Sequence, residues 1–262
     1  MNFKKIMTTF FICLPVCIAA RVVQIAVTIQ KSNGFYLTGF DTFGNVMMAL
    51  IGLSCVLLFL VAFKAYKTPE KTPRVNLAMA ITSYVVALAF LGELFFEAVA
   101  PTTPEWQKYV VKVITVAASG YFVLFGSSHF CKIKMPRLIH AIPAIYAIAR
   151  TIFTFINISS LAAISDNVLL MAGYCVLMLF FINYGKLYNG LDVEVNFRKI
   201  LATGLVSVTL CASQSVAYLL VNVFGSGYTH SDSSVIFTLF AMSVFIVVFI
   251  LAHFKTNKKE YI

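Results

Sequence analysis

Apolar residues run through this chain in long blocks rather than along one face of short helices. A membrane-spanning helix needs about 20 apolar residues, and eight blocks approach that length, at 6–28, 43–63, 76–99, 109–131, 138–158, 168–185, 200–224 and 234–254. The segments between them are short, leaving no room for a soluble catalytic domain. The pattern predicts an all-α fold, a polytopic transmembrane helical bundle of eight spans forming one integral membrane domain over 1–262.

The first block follows Lys4 and Lys5 and contains Ile18-Ala19-Ala20, which together imitate a cleaved secretory signal. Its apolar run continues through Val22–Ile29, past the length of such a signal, so the block is expected to stay as a span. Leu14-Pro15-Val16-Cys17 is also a poor lipid-attachment box, because proline stands where a small flexible residue is needed.

Composition agrees with a bilayer as the main partner. The 262 residues are 60% hydrophobic and 11% charged, with mean hydropathy +0.90, against roughly 25% charged in soluble domains. The net charge of +10 would suit nucleic acid only if the basic residues shared a solvated face; here they are scattered among short loops, so no nucleic-acid partner is expected. The positive-inside rule accounts for them instead. With the N-terminus inside, Lys4, Lys5, Lys64, Lys67, Lys71, Arg74, Lys132, Lys134, Arg137, Lys186, Arg198, Lys199, Lys255, Lys258 and Lys259 all fall on the cytoplasmic side, and only Lys31 and Lys108 outside. Both termini are then cytoplasmic in a multi-pass protein of the cell membrane. The six cysteines (Cys13, Cys17, Cys55, Cys131, Cys175, Cys211) lie in or at the ends of apolar blocks and read as small buried residues. No metal or cofactor is expected from them; Cys13 and Cys17 share a helix face but have no further ligand nearby in sequence.

Two apolar blocks carry a charge at depth. Leu14-Pro15-Val16-Cys17-Ile18-Ala19-Ala20-Arg21 and Ile142-Pro143-Ala144-Ile145-Tyr146-Ala147-Ile148-Ala149-Arg150 each place an arginine about two helical turns after a proline. Insertion of such an arginine at mid-bilayer costs about 2.5–3.5 kcal/mol. Their offset of 129 residues nearly aligns Val86-Ala87 with Val216-Ala217, while Lys64-Ala65-Tyr66 and Lys186-Leu187-Tyr188 match at 122. This suggests a parallel repeat of four plus four spans, with halves 1–131 and 132–262. Apolar helices resemble one another by composition alone, which is the competing explanation.

Glu93 and Glu97, four apart on the third block, project from one helix face and are the expected counter-charges of Arg21 and Arg150. Lys112, Gln24 and Gln214 lie at similar depth, with Ser215, Asn157 and Asn222 nearby. Asp41, Asp166, His230 and Asp232 fall in outer loops where they could contact a ligand or cation, although loop aspartates are usually solvated, and His140 could relay protons but reads more simply as a polar group at the inner interface. Trp106 and Tyr109 mark an outer interface. The prolines are expected to kink their helices or free carbonyls near the site.

An intramembrane enzyme would need a nucleophile with its base, or clustered metal ligands; no HExxH or GxSxG motif occurs, and no catalytic residue is assigned. Two readings remain. The first is a carrier or channel for a small anionic or zwitterionic solute held by Arg21 and Arg150, since positive charge exceeds negative in the layer. The second is a membrane-bound sensor or accessory subunit with a protein partner, its charged layer a structural ion-pair network. The first expects both arginines to face a common cavity; the second expects each to be closed against a partner.

Overall fold

The computed structural model describes residues 3–30, 35–64, 76–95, 104–131, 135–158, 165–191, 193–224 and 233–255. Helix α1 (Phe3–Val23) continues into a π-helical turn (Gln24–Thr28), followed by α2 (Asp41–Phe63), α3 (Leu77–Phe95) and α4 (Glu105–Cys131). A 3-10 turn (Arg137–Ala141) leads into α5 (Ile142–Ile158), then α6 (Ser165–Tyr188), α7 (Val193–Val223) and α8 (Ser233–Lys255). Among the described residues, eight helices are thus long and apolar enough to cross a membrane. Among the described residues no strand forms, only an isolated bridge between Ile29 and Tyr36. Helices satisfy their own backbone groups, which is what a hydrocarbon solvent demands.

The predicted blocks and the observed helices agree closely, with two consequential differences. Helix α6 begins at Ser165, so Asp166 belongs to its first turn rather than to a solvated loop. The prolines are not equivalent: Pro15 lies inside α1, whereas Pro143 occupies the first turn of α5, where a missing N–H leaves no hydrogen bond unmade. Neither breaks its helix. The irregular backbone near Arg21 is the π turn that follows it.

Helix α7 is the hub. It packs against α1, α2, α6 and α8, and at 31 residues it is roughly 46 Å long, well beyond a hydrocarbon core of about 30 Å. Thr203, Thr209, Ser213 and Ser215 are buried on it, and their hydroxyls bond carbonyls of Lys199, Leu205, Leu210 and Cys211 in the same helix at 2.7–2.9 Å. Small side chains whose hydroxyls are satisfied locally let neighbouring helices approach without stranded polar groups. Helix α2 shows the opposite character: Leu53, Val56, Leu57 and Leu60 are exposed on it, an apolar surface suited to lipid.

Consecutive helices alternate in direction. Ser119 of α4 bonds the Ala87 carbonyl of α3 (3.1 Å), and further along Tyr84 meets Ser127 (2.9 Å), so the pair is antiparallel. We call the end where α1, α3, α5 and α7 finish the upper end. The two halves of the chain interleave: α1 and α2 pack on α7, and α3 packs on α8 as well as α4.

The α3–α4 contact is tight at Gly126, where a Cβ would lie 3.2 Å from the Ala80 carbonyl oxygen and from the Tyr84 ring. Backbone cannot yield as a flexible side chain does. Gly126→Val should therefore destabilise the bundle by about 1–3 kcal/mol, whereas Gly120→Ala, facing open space, should cost nothing; unfolding in detergent micelles measures both.

Candidate functional site: a charged layer at the upper end

Both arginines are buried in the upper half of the bundle, and each is neutralised by a carboxylate from a distant part of the chain. Arg21 has a fully buried side chain and forms an ion pair with Asp166 of α6. Its Nε donates to Gln214 Oε1 of α7 at 3.0 Å, and Nη1 donates to Gln24 Oε1. Gln24 in turn donates to the Tyr36 hydroxyl and to the Gly44 carbonyl, both at 3.0 Å. The guanidinium fork thus ties α1, the π turn, α2, α6 and α7 together. Its pairing with Asp166 is helped by the position of that carboxylate in the first turn of α6, where the helix dipole favours negative charge.

The segment after the π turn folds back over this network. Gln30 N–H donates to the Phe35 carbonyl (2.8 Å) and Leu37 N–H to the Thr28 carbonyl (2.7 Å), which brings the Tyr36 ring onto α2. Gly44 is required beneath it, since a Cβ there would overlap the ring.

Arg150 forms the second network. It pairs with Glu93 of α3, and its Nε donates to the Tyr146 hydroxyl at 3.3 Å. Tyr146 sits one turn earlier on α5 and reaches both Glu93 oxygens (3.1 and 3.3 Å), while Thr238 of α8 donates to Glu93 Oε2 at 2.9 Å. Phe90 packs edge-on against the Tyr146 ring, centroids 4.7 Å apart. Among the described residues, Glu93 and Tyr146 are the polar partners of Arg150, whose side chain remains 10% exposed against 0% for Arg21.

The sequence-predicted residues therefore divide. Arg150 meets Glu93 as expected, and Gln24 and Gln214 both join Arg21. The counter-charge of Arg21 is Asp166, not a glutamate of α3, because α1 abuts α7 and the start of α6 rather than α3. Glu97 and the side chain of Asn157 lie outside the described residues, as do His230 and Asp232. Lys112 is half-buried on α4, the neighbour of α3. In these contacts the two arginines bond different side chains, Arg21 those of Asp166, Gln214 and Gln24, and Arg150 those of Glu93 and Tyr146. Ser215 bonds its own helix and serves neither. Trp106 and Tyr109 are exposed near the upper end of α4, as aromatic anchors should be.

Sequence reasoning placed Asp166 in a solvated loop, not on Arg21, and gave no role to Tyr146, Thr238 and Tyr36. Ser165-Asp166-Asn167 before an apolar run is a helix-start signature, and Tyr146 lies i−4 from Arg150 on one face, so two of the four left a trace. It also missed a lower-end cluster. His140 is buried, with Nδ1 3.0 Å from the Tyr121 hydroxyl, which meets the Tyr184 hydroxyl at 2.6 Å; the Tyr188 ring stacks on the imidazole at 4.3 Å. His140 is a core group of the α4–α5–α6 junction rather than an interfacial one. The described residues hold no cluster of metal ligands.

Losing one partner of a buried pair leaves an uncompensated charge, at a cost of about 3–5 kcal/mol. Arg21→Met should lose that much, and Arg21→Met with Asp166→Leu should recover most of it; a double-mutant cycle in micelles checks this, and additive losses would show the pair uncoupled. No family model, curated protein or solved structure matches the chain.

Proposed function

We propose that the chain is a carrier for a small anionic or zwitterionic solute with Arg150 alone as the solute-binding cation and Arg21 as a brace, a revision of the expectation that both arginines face one cavity, since each is closed on its own carboxylate. The observation that carries this reading is the contrast between the two guanidiniums. Arg21 is wholly enclosed and bonded through Asp166, Gln214 and Gln24, whereas Arg150 keeps part of its side chain exposed and holds one carboxylate and one hydroxyl. A guanidinium presents five N–H donors, so Arg150 retains donors for a second acceptor.

The upper end is the outer end in this reading. Lys4, Lys5, Lys64, Arg137, Lys186 and Lys199 are exposed at the lower end, which the positive-inside rule assigns to the cytoplasm together with both termini. A 4+4 duplication fits the hairpin packing of α1 with α2, of α5 with α6, of α3 with α4 and of α7 with α8. It also fits the way each arginine bonds a carboxylate from the other half. The resulting bundle is asymmetric, because α2 packs on α7 instead of α3 while α6 packs on α7.

A second reading, an accessory or sensor subunit whose layer is purely structural, draws on the fact that each arginine already holds a carboxylate of the chain. The two part experimentally. A carrier should be stabilised thermally by some member of a panel of small carboxylates and amino acids, with the shift lost in Arg150→Met, and should move that solute into liposomes. Absence of any Arg150-dependent shift or flux, alongside a stoichiometric protein partner recovered from native membranes, would establish the accessory reading instead.

A further inference from the structure

Glu93 is the carboxylate that any solute on Arg150 has to compete with, and its surroundings set the terms of that competition. The carboxylate is almost fully buried, 3% exposed, and is held by Arg150, Tyr146 and Thr238, that is, by α5 and α8 against α3. Arg150 and Glu93 together are neutral. Adding an anion to this pair would leave a net negative charge in a low-dielectric interior, which is severely unfavourable. Removing the charge of Glu93 by a proton restores neutrality once the anion is on Arg150.

Resting on the carrier reading, we propose that Glu93 is a proton-binding site and that one proton and one monovalent anion occupy the Glu93–Arg150 pair together. The proton adds to a carboxylate oxygen of Glu93, whose negative charge disappears and whose ion pair with Arg150 is thereby lost. The anionic group of the solute takes the place of that carboxylate on the guanidinium. Total charge at the site is unchanged, and no other bond forms or breaks. The neutral carboxyl still accepts from the hydroxyls of Tyr146 and Thr238, so α3 stays anchored to α5 and α8 while Arg150 changes partner.

The groups packed against Glu93 leave it as the proton acceptor of this site. From α5 come Arg150, permanently charged, and Tyr146. Helix α8 carries no titratable residue between Val235 and Leu251. On α4, the upper half brings Lys112, half-buried, with Lys108 and Tyr109 nearer the end, Tyr109 being exposed. Tyr174 of α6 lies beside Tyr146. Glu105, in the first turn of α4, is exposed and pairs with Lys108 at 3.1 Å; among the described residues the other groups facing Glu93 are cations or phenols, none of which exchanges a negative charge for neutrality near pH 7.

The test uses purified full-length protein and methanesulfonate, a small anion that stays ionised throughout the pH range examined. Its affinity for the wild type, read by thermal shift and by calorimetry, should weaken about tenfold for each unit rise in pH, the signature of one proton taken up per anion bound. Glu93→Gln, which keeps the shape and neutrality of a protonated carboxyl, should bind the anion equally well at all these pH values. Glu93→Ala, which leaves room for a free carboxylate, should be stabilised by acetate. Arg150→Met should abolish all three effects. Anion binding to the wild type that is independent of pH and needs Arg150 would overturn the proton site and leave the carrier standing. No Arg150-dependent anion effect in wild type, Glu93→Gln or Glu93→Ala would overturn both.

Discussion

A charge buried in a hydrocarbon-facing bundle has to be cancelled within the bundle, and the upper half of this protein is organised around that requirement. Arg21 and Arg150 each sit on a helix whose neighbours in sequence are apolar, so neutralisation must come from elsewhere in the chain. It arrives from Asp166 on α6 and Glu93 on α3. Because the partners are remote in sequence, satisfying the charge also fixes which helices are adjacent at that end. Replacing such a pair by apolar residues is often neutral or stabilising, so the pairs are better understood as setting registry than as a source of stability.

The rest of the bundle makes this arrangement affordable in packing terms. Helix α7 supplies small side chains and self-bonded hydroxyls, which let α1, α2, α6 and α8 close around it and bring Gln214 to Arg21. The π turn after α1 shifts the backbone so that Gln24 bonds Arg21, Tyr36 and the Gly44 carbonyl at once. Such insertions are frequent where a helix must redirect a side chain. At the lower end the polar groups are different in kind: His140, Tyr121 and Tyr184 form neutral hydrogen bonds inside an aromatic shell. One end of the molecule is thus tied by ion pairs and the other by phenols and an imidazole.

The contrast between the arginines was invisible in the one-dimensional pattern, which made them look like copies. Their segments do match, each with a proline and an arginine in an apolar block. Tertiary context separates them: Pro15 is inside a helix and Pro143 begins one, and Arg21 is bonded by the side chains of Asp166, Gln214 and Gln24 whereas Arg150 is bonded by those of Glu93 and Tyr146.

Hydrophobic length is a local property, and so the eight spans, the short connections and the presence of two costly arginines were all determined by sequence alone. Glu93 as a counter-charge and Gln24 and Gln214 as members of the layer were also legible, because depth along a helix follows from residue count. Which carboxylate meets which arginine was decided only by tertiary structure. Pairing depends on helix adjacency and rotation, and these follow from long-range packing around α7 that no periodicity records. The same packing took Asp166 out of the solvent and put it on Arg21, leaving Arg150 paired with Glu93.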